Sequence, residues 1–192
     1  MQAKNTKTVI LVAGLPYSGK TAIIQEMIKK LPGYAIFIDS IFKEIVSESE
    51  VCLTRWLKEC PHLIDRIKNM IENSPATHIY VEIGILPRKY RKALSDWISK
   101  MGYKCVRILL ECNSRNAIAE RQAERERLLT GRHDHLKIAI DLDELYGPIS
   151  AAFEPPRHDE GYKKINTALS IEESMVEICA MFEKQKIKII NK

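Results

Sequence analysis

Short apolar runs alternate with helical segments along most of the chain. The first run, Thr8–Ala13, is continuous and rich in Val and Ile, which is typical of a strand covered on both faces in a parallel sheet. A glycine-containing turn follows, and the apolar residues of Lys20–Leu31 then recur at helical spacing. Further strands are predicted, the last of them weakly, at Tyr34–Ile38, His78–Ile83, Lys104–Leu110 and Gly161–Ile165.

Helices are predicted between these strands and after the last one. They span Arg88–Met101, Arg115 to about Leu129, and Ile171 to about Lys186. Strands that alternate with helices indicate a parallel sheet with crossover helices. The length of 192 residues, 45% of them hydrophobic, suits one domain with a substantial core. We therefore predict a single α/β domain over residues 1–192, with a parallel sheet of about five strands.

Two segments depart from the alternation. Ser40–Ser74 has a helical pattern and lies between the second and third strands, where an α/β fold can insert a substrate-binding element. We predict that residues 40–74 form such a helical insertion. Residues 121–135 are rich in arginine, with glutamates between the arginines and a glycine near the end. This composition favours a mobile helical lid.

The turn after the first strand carries the clearest chemical signal. It reads G-L-P-Y-S-G-K-T and matches the phosphate-binding pattern G-x-x-x-x-G-K-[ST] in full. Glycines let backbone N–H groups converge on phosphate oxygens, and the following helix presents its positive N-terminal dipole to the same anion. The pattern alone also occurs by chance, but here a strand precedes it and a helix follows. The predicted nucleotide-binding residues are Gly14, Leu15, Pro16, Tyr17, Ser18, Gly19, Lys20 and Thr21.

The same motif indicates the nucleotide and a metal. Lys20 is expected to reach the β- and γ-phosphates, and the Thr21 hydroxyl to bind Mg²⁺. The guanine-reading tetrapeptide N-K-x-D of GTPases does not occur in the sequence, which favours ATP. The chain is also too short for a large remodelling ATPase, so we expect it to contain little beyond a phosphoryl-transfer core.

Two carboxylates are candidates for the chemistry of transfer. Asp39 follows the second strand, which places it at the carboxyl edge of the sheet, and we assign it as the general base or acceptor-orienting group. The alternative is an aspartate that caps the following helix. Glu82 lies within the third apolar strand, where a lone carboxylate is unfavourable unless it has a partner. The expected partner is the Mg²⁺ ion that Thr21 would also bind. The alternative is an edge position in the sheet or an ion pair with an arginine.

Arg121 and Arg125 are candidates for binding the phosphates from the lid. They are four residues apart and share one helix face, so both can approach one anion. The alternative is a solvated helix with internal salt bridges. His133 and His135 flank an aspartate, but a polar loop explains them better than a metal site.

Charge and cysteine content add little to this picture. A net charge of +5 favours an anionic ligand but falls short of a dedicated nucleic-acid binder. The five cysteines are widely spaced and contain no C-x-x-C pair, which fits a reducing cytoplasm better than a disulfide framework or a zinc site. The first apolar run is too short for a membrane span, so we predict a cytoplasmic protein with no membrane partner.

With these residues in place, the chain resembles the P-loop kinases of the polynucleotide-kinase-like group, which includes small-molecule phosphotransferases such as the chloramphenicol kinase. The resemblance runs from Val9 to about Ile171 and implies a three-layer α/β/α P-loop NTPase fold. The family's D-x-x-R motif after the second strand implies a base role for Asp39, but Phe42 stands at the arginine position. The family's acidic residue at the third strand is matched by Glu82.

The resemblance also covers the lid and the segment before the last strand. The family's R-x-x-x-R lid motif, which contacts ATP phosphates, is matched by Arg121 and Arg125. The passage AAFEPPRHDEGYKKI is similar to the F-E-x-P…E-G-[FY] passage of several such kinases. Its Phe153, Pro155 and Pro156 either shape the base side of the nucleotide pocket or form a structural turn.

The predicted function is an ATP- and Mg²⁺-dependent kinase that phosphorylates a hydroxyl group. The acceptor is a small molecule or the end of a nucleic acid, and Phe42 in place of the arginine leaves that choice open. The alternative is an ATP-binding regulatory or partner-binding protein that has lost transfer. Phe42 and the basic stretch Lys184–Lys192 are the features that motivate this alternative.

Overall fold

The computed structural model of the chain describes residues 7–46, 52–130 and 142–187, apart from the side chains of 126, 128–130 and 142–146. In these residues a parallel sheet forms the centre of the molecule. Its strands are β1 (Thr8–Ala13), β2 (Tyr34–Phe37), β3 (His78–Gly84), β4 (Lys104–Glu111) and β5 (Lys163–Asn166).

The sheet has the strand order β2-β3-β1-β4-β5, and every neighbouring pair is parallel. β1 therefore lies in the middle, between β3 and β4. This is the five-stranded parallel sheet expected from the alternation of strands and helices.

Seven α-helices are found in the described part of the chain. Their bounds are α1 (Lys20–Lys30), α2 (Ile38–Ile45), α3 (Leu53–Asn73), α4 (Arg88–Lys100), α5 (Arg115–Thr130), α6 (Leu142–Ala152) and α7 (Ile171–Lys184). A 3₁₀ turn, His158–Glu160, precedes β5. α7 begins with a capping box in which the Ser170 hydroxyl accepts from the Glu173 N–H, as the spacing of these residues favours. Within the described ranges, no helix is long and apolar enough to span a bilayer.

Several element bounds differ from the predicted ones by one or two residues, and three further points bear on the site. The second strand ends at Phe37 instead of Ile38, because Ile38, Ile41 and Phe42 are buried at the i, i+3 and i+4 positions of a helix. In its described residues, the predicted helical insertion 40–74 contains most of α2 and the whole of α3. α6 was not predicted, because Gly147 and Pro148 interrupt its pattern.

Helices cover both faces of the sheet, and the alternation along β1 shows how. Val9, Leu11 and Ala13 pack with residues of α3 and α4, whereas Ile10 and Val12 pack with residues of α1 and α7. All six residues of β1 are buried. The chain therefore has the three-layer α/β/α architecture, and the two apolar faces of β1 explain why its sequence is a continuous apolar run.

A buried ion pair fixes the segment before β5 to α4. Arg91 is 1% exposed, and its Nε and Nη2 donate to the two carboxylate oxygens of Glu160, each at 2.9 Å. The Nη1 of Arg91 donates to the main-chain oxygens of Leu86 and Glu154, and the Glu154 carboxylate accepts from the Arg88 N–H at the start of α4. Phe153 packs against the core on the same side. These contacts favour the structural-turn interpretation of the Phe153–Glu160 passage.

Glu160→Gln is expected to lower the free energy of unfolding by about 2 kcal/mol, because Arg91 remains buried with its carbonyl partners but loses the opposite charge. Asp159→Asn, an exposed partner of Arg88, should cost less than about 1 kcal/mol. Urea denaturation of both variants checks this. An equal loss in the two variants would contradict the special role of the buried pair.

The same ion pair predicts a pH dependence. Burial alone would raise the pKa of Glu160, but hydrogen bonds from Arg91 and from the Arg157 N–H, with the charges of Arg91 and Arg88, hold that pKa below its ordinary value. The stabilisation is therefore complete above the ordinary glutamate pKa and is lost as the pH falls through the lowered one. The stability difference between the wild type and Glu160→Gln should shrink on acidification.

Candidate active site

A cleft opens at the carboxyl end of β1, whose two neighbours β3 and β4 follow each other in the chain but lie on opposite sides of β1 in the sheet. Ligands of open α/β folds bind at such a switch point. The cleft has a volume of about 1340 Å³. It is lined by the turn after β1, the starts of α1, α2 and α3, the middle of α5 and the start of α7.

The turn between β1 and α1 has a backbone that only certain residues permit. Gly14 has φ 149°, and a Cβ there would lie 2.6 Å from the Leu110 carbonyl oxygen, so a side chain is excluded. Tyr17 and Gly19 also have positive φ values, of 60° and 85°. α1 begins at Lys20 with no side-chain cap and no acidic residue in its first turn. The start of this helix is therefore suited to an anion.

Lys20, Thr21 and Glu82 meet at the floor of the cleft. The Thr21 hydroxyl donates to the Glu82 carboxylate at 3.2 Å, and Lys20 Nζ lies 3.8 Å from the other carboxylate oxygen. Lys20 Nζ also donates to the Leu15 carbonyl oxygen at 2.8 Å. Among the described residues Glu82 pairs with a lysine and a threonine and with no arginine, and β3 lies between β2 and β1 instead of at the edge of the sheet.

Burial shifts both charged groups of this cluster toward their neutral forms. Burial lowers the pKa of Lys20, whereas the negative charges of Glu82 and Asp39 act to raise it. Burial raises the pKa of Glu82, whereas the positive charge of Lys20 acts to lower it. The charges of Asp39 and Arg125 affect both groups, so all four side chains belong to one electrostatic site.

The residues at this position fit a magnesium ion. Mg²⁺ prefers oxygen ligands and is usually held in proteins by one or two carboxylates or hydroxyls together with substrate phosphates. The Thr21 hydroxyl and the Glu82 carboxylate supply such oxygens side by side, next to the anion-binding start of α1. No cluster of three or more histidine, cysteine or acidic ligands occurs among the described residues. His133 and His135 lie outside them.

Asp39 lies at the second position of α2 and lines the cleft with an exposed carboxylate. The residue that caps α2 is Phe37, which makes no side-chain capping bond. The helix-cap alternative for Asp39 is therefore wrong. No hydrogen bond joins its carboxylate to another described residue, so the carboxylate is available to a ligand.

α5 brings Arg121 and Arg125 to the opposite side of the cleft. Arg121 Nη1 donates to the Tyr17 carbonyl oxygen at 3.1 Å, and its Nη2 donates to the Thr167 carbonyl oxygen. Arg125 is exposed and lines the cleft one turn further along. The predicted lid thus includes the second half of α5, while residues 131–135, with Arg132 and both histidines, lie outside the described residues.

Thr167 is a site residue that the sequence pattern did not reveal. It is 2% exposed, and its hydroxyl donates to the Ser18 carbonyl oxygen at 2.8 Å. Together with Arg121 it holds the phosphate loop to the segment after β5. Its position directly after a strand, at the same edge of the sheet, is the one signal that could have indicated it.

The predicted insertion supplies the remaining wall of the cleft. Phe42 of α2 and Trp56 of α3 pack edge to face, with ring centroids 5.1 Å apart. Leu53 and Cys52 lie next to them, and Lys43 is the basic residue of α2 that lines this wall. Pro155 and Pro156, in contrast, are not among the residues that line the cleft.

No protein family profile matches this chain, and no curated protein matches it in sequence. Solved structures match it in fold. A gluconokinase from Sinorhizobium meliloti 1021 is 18% identical, with a TM-score of 0.62 over 93% of this chain and 95% of that one. An APS kinase from Mycobacterium tuberculosis, solved with AMPPNP and APS, is 13% identical, with a TM-score of 0.61 over 93% of this chain and 98% of that one.

A sugar kinase from Janibacter sp. HTCC2649 is similar to the same degree. It is 14% identical, with a TM-score of 0.61 over 92% of this chain and 95% of that one. Identities this low show the fold alone. The likeness nevertheless extends over almost the whole length of both chains in each comparison, and the chain has the fold of the P-loop kinases.

Proposed function

We propose that the protein is a kinase that transfers the γ-phosphate of ATP, with Mg²⁺, to a hydroxyl group of an acceptor. The observation that carries the proposal is the meeting of Lys20, Thr21 and Glu82 at the start of α1, with the exposed Asp39 lining the same cleft. A phosphate-binding loop alone would serve any nucleotide-binding protein. An available carboxylate beside that loop is what hydroxyl phosphorylation requires in addition.

The size of the cleft supports a reaction between two substrates. Clefts for a single small ligand measure about 300–1,000 Å³. The volume of about 1340 Å³ leaves room for an acceptor next to a nucleotide. The nucleotide phosphates would lie at the start of α1, and the acceptor would lie between Asp39 and the Phe42–Trp56 wall.

Each residue then has a defined task in transfer. Asp39 accepts the proton of the acceptor hydroxyl. The oxygen of that hydroxyl forms the new bond to the γ-phosphorus, and the bond between the γ-phosphorus and the bridging β-phosphate oxygen breaks. Lys20 and the amides of the turn hold the β- and γ-phosphates, and Arg125 offers positive charge from the lid side. Mg²⁺, held by Thr21 and Glu82, would neutralise charge on the phosphates.

Labelled γ-phosphate transfer tests the proposal. The wild type and Asp39→Asn are incubated with ATP, Mg²⁺ and a panel of nucleosides, sugars, other hydroxylated metabolites and 5′-hydroxyl oligonucleotides. Labelling of one acceptor class by the wild type alone is the expected result. ATP binding without labelling of any acceptor would instead favour a nucleotide-dependent regulatory protein, the function suggested by the loss of the arginine at position 42.

Glu82→Gln is expected to raise the Mg²⁺ concentration needed for half-maximal binding of a non-hydrolysable ATP analogue by about 10–100-fold. The amide keeps the shape of the side chain but removes the charge that faces the metal. Glu111→Gln is the matched control, because Glu111 is a glutamate near the same edge of the sheet, at the end of β4, but pairs with Lys164. An unchanged Mg²⁺ dependence in Glu82→Gln would rule out a metal role for this carboxylate.

A further inference from the structure

Two side chains from distant elements hold the turn after β1 by its carbonyl groups. The Thr167 hydroxyl donates to the Ser18 carbonyl oxygen at 2.8 Å. Arg121 Nη1 donates to the Tyr17 carbonyl oxygen at 3.1 Å. A Cβ at Gly19 would lie 3.6 Å from this nitrogen, so the guanidinium lies close against the turn. Two consecutive peptide groups of the turn are therefore anchored from outside it.

Thr167 is itself held through all of its polar groups. Its N–H donates to the Glu111 carbonyl oxygen at the end of β4, at 2.8 Å, and its own carbonyl oxygen accepts from Nη2 of Arg121. The hydroxyl also lies 3.3 Å from the Glu111 carbonyl oxygen, but its single proton suits the shorter contact with Ser18. Thr167 is 2% exposed. The anchor is thus buried and tied to the sheet.

An anchored carbonyl group sets the direction of the N–H group that follows it. A trans peptide group is planar, with its C=O and N–H pointing in opposite directions, and the described peptide bonds are trans. Because Thr167 holds the Ser18 C=O, the Gly19 N–H points away from Thr167. Gly19 lines the cleft, and no hydrogen bond joins its N–H to another described residue. This N–H is therefore directed and available to a ligand.

The same contacts hold a backbone conformation that the turn would not keep by itself. Tyr17 has φ 60°, in the left-handed region that a residue with a side chain adopts at a cost. Such a conformation persists where neighbouring groups fix it, and the bond from Arg121 to the Tyr17 carbonyl oxygen does so. The turn is therefore stabilised in one conformation by α5 as well as by its own residues.

Arg121 thus differs from the other arginine of the lid motif. Both of its Nη groups donate to main-chain carbonyl oxygens, whereas Arg125 is exposed in the cleft and makes no hydrogen bond to a described residue of the turn. Lys20 also holds the turn, through the Leu15 carbonyl oxygen, but its Nζ is needed for the phosphates. The anchors that can stay in place when phosphate binds are Thr167 and Arg121.

We infer that Thr167 and Arg121 are positioning residues, which orient the turn after β1 for phosphate before the nucleotide binds. The inference rests on the nucleotide site of the function proposed above. Donors that are already oriented need no rearrangement when an anion binds, so loss of an anchor lowers nucleotide affinity without removing a group that touches the nucleotide. A direct phosphate ligand, in contrast, has no effect on the turn of the free protein.

Hydrogen exchange of the turn in the protein without nucleotide separates these two roles. Thr167→Val keeps the shape of the side chain but removes its proton donor, and Arg121→Met removes both donors of α5. Each should speed the exchange of the amides of residues 15–20 by about three- to tenfold. Thr167→Ser keeps the hydroxyl and should restore the wild-type rate. Arg125→Met should leave the exchange rate unchanged.

Calorimetry with a non-hydrolysable ATP analogue measures the effect on binding. Thr167→Val should bind the analogue about tenfold more weakly, and Thr167→Ser within about twofold of the wild type. Tyr80→Phe is the matched control, because it also removes a buried hydroxyl that donates to a main-chain carbonyl, that of Leu31 at the other end of α1. It should destabilise the fold to a similar degree but leave affinity for the analogue unchanged.

The outcomes separate this inference from the kinase function. Unchanged exchange in Thr167→Val and Arg121→Met would overturn the positioning role. Faster exchange with unchanged affinity for the analogue would also overturn it, because the anchors would then serve stability alone. A wild type that binds no analogue would instead overturn the nucleotide site and the proposed function. Binding that weakens in Thr167→Val but leads to no transfer would support the positioning role and overturn the proposed reaction.

Discussion

Asp39→Asn is expected to reduce the rate of phosphoryl transfer by about 10²–10⁴-fold, the contribution typical of a positioned general base. The amide has the same shape as the carboxylate but cannot accept the proton of the acceptor hydroxyl. Asp39 is exposed and makes no hydrogen bond to another described residue, so the fold should be unaffected. Affinity for ATP should remain nearly that of the wild type, because the phosphates would be held by α1 and its preceding turn. Single-turnover transfer from labelled ATP and calorimetric ATP binding measure the two effects separately.

Glu44→Gln is the matched control for this experiment. It makes the same change of charge on the same helix, but Glu44 is an exposed residue that pairs with Arg66 and does not line the cleft. Its transfer rate should be close to that of the wild type. Equal loss of transfer and of ATP binding in Asp39→Asn would mean that Asp39 has a structural role. Full activity in that variant would mean that another residue is the general base.

The part of the fold that could be predicted from the sequence is the part encoded by neighbouring residues. The apolar run of β1, the glycines of the turn and the periodicity of α1 lie within about twenty consecutive positions, and the structure places each element as predicted. The α/β architecture follows from the repetition of that alternation. The roles of Lys20, Thr21, Glu82 and Asp39 stay predictions, although their proximity is now a structural fact.

The parts that could not be predicted depend on contacts between distant segments. Thr167 reaches the phosphate loop across 149 positions of the chain, and Arg91 binds Glu160 across 69. No periodicity or motif records such pairs, because each residue alone is an ordinary polar side chain on its own element. The aromatic pair Phe42–Trp56 is similar, since both residues read as core positions of their helices until the packing of α2 on α3 places them at the cleft.

Charge balance explains why the floor of the cleft suits a ligand of high negative charge. Lys20 is buried beside the Glu82 carboxylate, with Asp39 and Arg125 acting on both groups, and burial disfavours the charged forms of Lys20 and Glu82. A polyphosphate with a divalent cation would supply an anion to Lys20 and a cation to Glu82 at the same time. Binding of such a ligand would therefore improve the surroundings of both groups, which a neutral ligand could not do.

The expected result for Lys20→Met follows from this balance. Methionine keeps much of the buried aliphatic stem but removes the charge, so the β- and γ-phosphates lose a charge-assisted hydrogen bond worth about 1.5–3 kcal/mol. ATP affinity should fall by about 10–100-fold. Transfer at saturating ATP should fall by about a further 10²–10³-fold, because the charge that develops in the transition state loses its partner. Calorimetry with the non-hydrolysable analogue and single-turnover transfer measure these two losses.

Lys29→Met provides the comparison, because Lys29 is an exposed residue on the same helix that pairs with Glu26 far from the turn. The free energy of unfolding of Lys20→Met needs to be measured as well, since Glu82 loses its partner in that variant. Burial already favours the protonated form of Glu82, so the carboxyl group can become neutral and the fold should survive. A well-folded Lys20→Met protein with unchanged ATP affinity would show that the turn after β1 is not a nucleotide-binding site. Such a result would contradict the proposed kinase function. Loss of ATP affinity in Lys20→Met but not in Lys29→Met would support binding of the phosphates at the start of α1.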